Sequence, residues 1–235
     1  MTSREFNWTP EFWEEWLAAP NPVRSYVVSR ITEAALRSLN PQPGELVLNA
    51  GCGFGREASL ILESTEGVRV VGVDISQEMT IAARRKLEGR YPFSVVMSSV
   101  ECLPFPDNTF DRVLCLGVLM HVQDEPAACQ ELLRVLKPSG TLVTSFNSLL
   151  HPLSPLLWAR LRMKARKLGS FKQSLRLPSY YTSKLARTGK QVSLYPGSFS
   201  VGRGPRALTP LWKLLDSSLA PAIPWATFEP ILVCR

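Results

Sequence analysis

The chain has 235 residues, of which 45% are hydrophobic, with 27 Lys and Arg against 20 Asp and Glu and a net charge of +7. That length holds one large domain with a substantial core, and the hydrophobic content excludes a disordered chain. No apolar run approaches the roughly 18 residues a membrane span needs, and residues 1–8 lack the apolar stretch of a signal peptide, so a cytoplasmic protein is expected.

Residues 5–19 set Phe6, Trp8, Phe12, Trp13, Trp16 and Leu17 among acids, and Phe12, Trp13 and Trp16 fall on one helical face. A second helix is predicted from Pro22 to Leu39, ending before Pro41. A strand follows at 46–50, then a glycine-rich bend, a helix at 55–65 and a strand at 69–74 closing on Asp74. Next come a helix at 77–88 with Ser76 as its cap, strands at 93–98 and 111–116, a helix at 124–136 opened by Asp124 and Pro126, and a strand at 140–146. Residues 149–178 read as a leucine- and base-rich insertion. Beyond it, a helix from Tyr180 through Arg187, a strand from Gln191 to Tyr195, a helix at 207–219 and a strand from Ala226 to Cys234 complete the pattern. Strands alternating with helices imply an α/β, Rossmann-like, doubly wound sheet of seven strands, mostly parallel, with helices on both faces and right-handed crossovers.

The run Leu46-Val47-Leu48-Asn49-Ala50-Gly51-Cys52-Gly53-Phe54-Gly55 carries the most chemistry. Glycine permits φ > 0 and lets a ligand lie against the backbone. An acid at the tip of the next parallel strand, here Asp74, is placed to accept the hydroxyls of a ribose. The dinucleotide fingerprint wants a third glycine where Arg56 stands, and no Lys-Ser/Thr pair makes a triphosphate loop. The spacing instead resembles motif I of class I S-adenosylmethionine-dependent methyltransferases. Downstream, Glu101-Cys102-Leu103-Pro104-Phe105-Pro106-Asp107, Leu119-Met120-His121-Val122 and Glu131 to Leu142 are similar to segments of the ubiquinone/menaquinone-biosynthesis-like branch (methyltransferase type 11). The resemblance covers about 43–146.

That resemblance implies S-adenosylmethionine as cofactor, an antiparallel last strand, and a methyltransferase domain over 41–235 in which 149–178 receives substrate. Residues 1–40 would be a helical lid, although the aromatic face at 5–19 could equally pack on the sheet. The cofactor would meet Asn49, Ala50, Gly51, Cys52, Gly53 and Gly55 at the bend, Asp74, Ile75 and Met79 at the second strand, Ser99, Val100 and Glu101 after the third, and Leu116 and Gly117 after the fourth. His121, at the carboxyl edge where an acceptor should enter, is the candidate general base, or else a residue that merely caps the junction. His151 is a weaker second. Trp16, Tyr26, Tyr180 and Tyr181 are candidate substrate-pocket groups. Two positions depart from the family: it usually has acids where Asn49 and Ser99 stand. Each change removes a charge-assisted contact of roughly 1–2 kcal/mol, which keeps open a catalytically inactive, methyltransferase-like partner subunit.

Charge divides the chain. Residues 1–148 carry 13 basic and 18 acidic side chains, residues 149–235 carry 14 basic and 2 acidic, and no acid lies between Leu132 and Leu215. Such a block attracts anions. It suits a small-molecule or lipid-like anionic acceptor, with peripheral contact to an anionic membrane as a further reading. An RNA methyltransferase is the alternative, ranked lower because the aromatics of the block are few and unpatterned. Cys52, Cys102, Cys115, Cys129 and Cys234 are odd in number and lack a Cys-x-x-Cys pair, so reduced thiols and no metal site are expected.

Overall fold

An aliphatic ladder explains the first helix among the described residues. In α1 (Pro22–Leu39), Val23, Val27, Ile31, Ala35 and Leu39 repeat every fourth residue and are all buried. Asn40, at φ 46°, closes it by donating its N–H to the Leu36 carbonyl, and Pro41 prevents its continuation. The computed structural model describes residues 22–159, 173–186, 189–200 and 206–235. The aromatic segment at 5–19, Trp16 included, and residues 160–172 of the basic insertion lie outside them.

The remaining elements are β1 (Leu46–Ala50), α2 (Arg56–Ser64), β2 (Arg69–Asp74), α3 (Gln77–Leu87), β3 (Phe93–Met97), β4 (Phe110–Cys115), α4 (Glu125–Arg134), β5 (Leu136–Ser145), α5 (Pro178–Ala186), β6 (Val192–Tyr195), α6 (Thr209–Ser218) and β7 (Ile231–Cys234). Seven strands form one sheet in the order β3-β2-β1-β4-β5-β7-β6. The pairs from β3 through β5 are parallel, and β7 runs antiparallel to both β5 and β6. This is the expected Rossmann-like architecture, with its antiparallel closing strand.

Side chains alternate across the sheet into two cores. On one face Val47, Leu114, Val143 and Val233 pack with α1, α2 and α3 through Ile31, Leu39, Ile61 and Leu87. On the other, Leu48, Val113, Leu142 and Leu232 pack with α4 and α5 through Leu132, Tyr181 and Leu185. Ser76 and Asp124 cap α3 and α4 as expected, accepting from Met79 N–H and Ala127 N–H. All five cysteines are free thiols.

Two boundaries differ from the sequence reading by more than two residues. β5 begins at Leu136, not 140: Leu136 is already opposite Phe110, while Thr141 is opposite Arg112, so residues 137–140 bulge out of the ladder. Lys137 anchors the bulge by an ion pair to Asp111 at 2.6 Å. At the other end β7 starts only at Ile231, because Pro224–Ala226 winds into a 3₁₀ turn and Pro230 cannot donate to the ladder.

Candidate cofactor and acceptor site

The glycine bend joins β1 to α2 at the carboxyl edge of the sheet. Gly51, Gly53 and Gly55 all have left-handed backbones, at φ 73°, 52° and 83°. Gly51 N–H and Cys52 N–H both donate to the Val73 carbonyl, at 2.7 and 2.8 Å, tying the bend to β2. A Cβ on Gly51 would fall 2.2 Å from Val118 Cγ2, so the bend and the segment after β4 touch directly, whereas a Cβ on Gly53 would meet nothing within 4 Å. Cys52 is buried against Gly72, and burial beside Asp74 pushes its thiol up, out of nucleophilic range.

Asp74 closes this cradle. One carboxylate oxygen accepts from Gly53 N–H at 2.8 Å and the other from Ser76 N–H at 2.9 Å. Burial pushes its carboxyl up, and those backbone donors pull it back toward the ionised form. Ile75 N–H adds a third backbone donor, and the carboxylate, with about four acceptor sites, keeps room for a ligand hydroxyl. Beside it Ile75 is 64% exposed, an apolar side chain awaiting a partner, while Met79 is buried below. Asn49, 2% exposed on β1, has a side-chain amide nitrogen with no hydrogen-bond acceptor among the described residues.

After β3, Val100 is buried and Ser99 is turned inward on its own segment: its hydroxyl donates to Glu101 at 3.1 Å and accepts from Glu101 N–H at 3.2 Å. Glu101 in turn accepts from Asp124 N–H, fastening this loop to the start of α4. After β4, Leu116 is partly buried, and Gly117 (φ 68°) is exposed with open space where a Cβ would stand. His121 is half-buried in the following turn, its N–H donating to Val118. The bend, Asp74, Ile75, Gly117 and His121 therefore all derive from the carboxyl ends of β1, β2 and β4.

Other candidates fall elsewhere. His151 is buried with both ring nitrogens engaged, Nε2 with the Phe199 carbonyl at 2.9 Å and Nδ1 with Leu153 N–H at 3.2 Å, and burial pushes its pKa down. Tyr181 is fully buried, its ring 5.0 Å from that of Phe146 and its hydroxyl donating to Glu125. Glu125, also buried, accepts two guanidinium N–H groups of Arg176, which with Tyr181 hold its carboxyl down despite desolvation. Tyr180 stacks under the Arg176 and Lys184 cations. Tyr26 lies beside Asp216 at the α1–α6 corner, where burial and that carboxylate push its hydroxyl up to about 12.

The sequence reading missed a second polar cluster on the same edge. Gly117 N–H donates to the Ser145 hydroxyl at 2.9 Å, and that hydroxyl donates to Glu229 at 2.6 Å. Burial and the nearby Glu57 carboxylate push Glu229 up to about 7. Glu57 itself pairs with Arg56, which also donates to Thr32 of α1 at 2.8 Å. The one available signal was composition: Glu229 is one of two acids in the basic C-terminal stretch.

The sequence profile of a methyltransferase-domain family matches residues 48–144. Phosphoethanolamine N-methyltransferase 1 of Arabidopsis thaliana is 33% identical over 116 residues, covering 48% of this chain and 23% of that protein. Demethylmenaquinone methyltransferase of Clavibacter sepedonicus is 36% identical over 110 residues, covering 47% of this chain and 44% of that protein. The match thus spans less than half the length of either relative. An S-adenosylmethionine-dependent methyltransferase from Mesorhizobium loti superposes with a TM-score of 0.65 at 18% identity, covering 89% of this chain and 100% of that one, which shows the shared fold. The site suits that cofactor: an open glycine backbone, an acid with spare lone pairs, an exposed Ile75 and an unpartnered buried amide. Residues 48–144 thus match a methyltransferase domain, set in a fold shared with an S-adenosylmethionine-dependent methyltransferase.

Proposed function

We propose that the chain methylates a small, anionic or lipid-like acceptor bound at the carboxyl edge of β1, β4 and β5. The observation that carries the reading is the bond from Gly53 N–H to Asp74, which sets the glycine bend and the ribose-accepting carboxylate as one unit. Bound there, S-adenosylmethionine supplies a methyl group already activated on sulfonium, so the protein's work is alignment and exclusion of water. Asp74 would accept ribose hydroxyls on its remaining lone pairs. Ile75 and Met79 would pack on the adenine, with Ser99, Val100 and Glu101 along its edge. Asn49 to Gly53, Gly55, Leu116 and Gly117 would enclose the methionine end. His121 would orient the acceptor or take its proton.

A small acceptor is favoured by the relatives, whose names specify phosphoethanolamine and demethylmenaquinone. The positive balance of residues 149–235 suits an anionic group, and exposed Leu149, Leu150, Leu153, Leu156 and Trp158 suit an apolar one. No helix among the described residues is long and apolar enough to cross a membrane.

Calorimetric titration with S-adenosylhomocysteine tests the cofactor half. Binding should be clear in the wild type and at least roughly a hundredfold weaker in Asp74→Ala, which loses two hydrogen bonds to a charged group. No binding by the wild type refutes the reading. Turnover is then measured with phosphoethanolamine and demethylmenaquinone. His121→Ala should lower it without changing cofactor affinity.

A further inference from the structure

We propose that Glu229, together with Glu57 and Asn49, forms a subsite at the carboxyl edge of the sheet that binds the ammonium group of a ligand. The inference rests on the methyltransferase reading and adds to it a residue outside the matched segment 48–144.

Strand register places these groups on one face. Asn49 is opposite Leu114 and Leu114 is opposite Val143, so Asn49 and Ser145, two residues beyond Val143, share the side covered by α1 and α2. Ser145 is opposite Ile231, and its hydroxyl holds the Glu229 carboxylate at 2.6 Å while accepting from Gly117 N–H at the β4 tip. The close approach of Gly197, where a Cβ would fall 1.9 Å from the Glu229 carbonyl oxygen, fixes the backbone from the far side. Glu57, in the first turn of α2, is near enough to repel Glu229.

Among the described residues Glu229 has no cation partner. Arg56 is taken by Glu57 and Thr32, and Arg30, bonded to the Gly197 carbonyl at 2.9 Å, is paired with Asp216. A half-buried carboxylate with a second acid nearby and no base paired to it is costly unless a cationic group arrives with the ligand. Burial, with Glu57 nearby, raises its pKa to about 7. The independent observation is Asn49, buried, with an amide N–H₂ that lacks an acceptor among the described residues. A ligand carrying an ammonium beside a carboxylate would answer both. This would also supply from the approach to β7 the acid that β1 lacks at Asn49.

The ammonium could belong to the methionine end of the cofactor or to an amine acceptor, and calorimetry on the full chain at pH 8 distinguishes them. If it is the cofactor's, S-adenosylhomocysteine should bind Glu229→Gln about ten- to a hundredfold more weakly than wild type, while its analogue lacking the α-amino group binds both alike. If it is the acceptor's, S-adenosylhomocysteine should bind both proteins equally, and phosphoethanolamine added to that complex should lose affinity in Glu229→Gln. The affected wild-type affinity should rise from pH 6 to pH 8 as Glu229 ionises. Ser145→Ala, which keeps the carboxylate and removes its donor, should move that rise to higher pH. Equal affinities for both ligands in both proteins, with no pH dependence removed by Glu229→Gln, overturn the subsite and leave the cofactor reading standing. Failure of the wild type to bind S-adenosylhomocysteine at all overturns both.

Discussion

Replacing Gly51 by Ala tests how the glycine bend and the tip of β4 hold each other. The new Cβ would stand 2.2 Å from Val118 Cγ2, where ordinary contact begins at 3.4 Å, so more than an ångström must be yielded. Valine is stiff about χ1 and cannot simply swing aside. Overpacking of this kind costs about 1–3 kcal/mol. The backbone at φ 73° adds about 1–2 kcal/mol for a residue with a side chain. In a Val118→Ala background the two Cγ atoms are gone, and the backbone cost remains with only a mild contact to the residue-118 Cβ at 3.3 Å. Denaturant unfolding of the wild type, both single variants and the double variant should therefore yield a coupling of about 1–3 kcal/mol. Thermal scans should follow at about 2–4 °C per kcal/mol for a chain of this size. If Gly51→Ala destabilises equally with and without Val118, the close approach is not what requires glycine there, and the reasoning fails.

Two further outcomes concern buried charge. Arg176→Met should cost about 2–3 kcal/mol at pH 7, below the roughly 3–5 kcal/mol of a fully buried pair, because the guanidinium is 39% exposed while Glu125 is at 1%. Since Glu125 titrates below its unfolded value, that contribution exists above the ordinary carboxylate range and fades as pH falls through the lowered folded value, so wild type and variant should converge in acid. Glu229 has the opposite sign. With a folded pKa of about 7 against an unfolded value of about 4.3, its contribution to stability is full below 4.3 and is lost as pH climbs to 7. Urea melts of Glu229→Gln should accordingly gain on wild type by about 2–4 kcal/mol between pH 4 and pH 8. A pH-independent difference would mean Glu229 is not desolvated as described.

The glycine bend and the acid that braces it were legible because they are local: strand, bend, helix and the next strand's terminal acid all lie within Leu46–Asp74, and each has its own backbone signature. The caps Ser76 and Asp124 were legible for the same reason. Lys137-Pro138-Ser139-Gly140 misled because its residues spell a turn, and only the pairing of Leu136 with Phe110 reveals a bulge inside a strand. Tyr181 looked like a pocket group and His151 like a second candidate base because type and position in sequence say nothing of which way a ring points. Glu125 and Phe199, which occupy their polar atoms, are 56 and 48 residues away. Glu229 and Ser145 are 84 residues apart and meet only because β7 inserts beside β5. Long-range pairing of that kind has no local pattern to betray it.

The reversed direction of β7 has a practical consequence. Ile231 enters level with Ser145 at the ligand edge, and Cys234 leaves level with Leu142 at the opposite end, where Arg235 reaches the Ser38 carbonyl near the foot of α1. A fluorophore attached to a cysteine substituted at Arg235 would thus sit on the floor of the sheet, at the opposite end from the glycine bend.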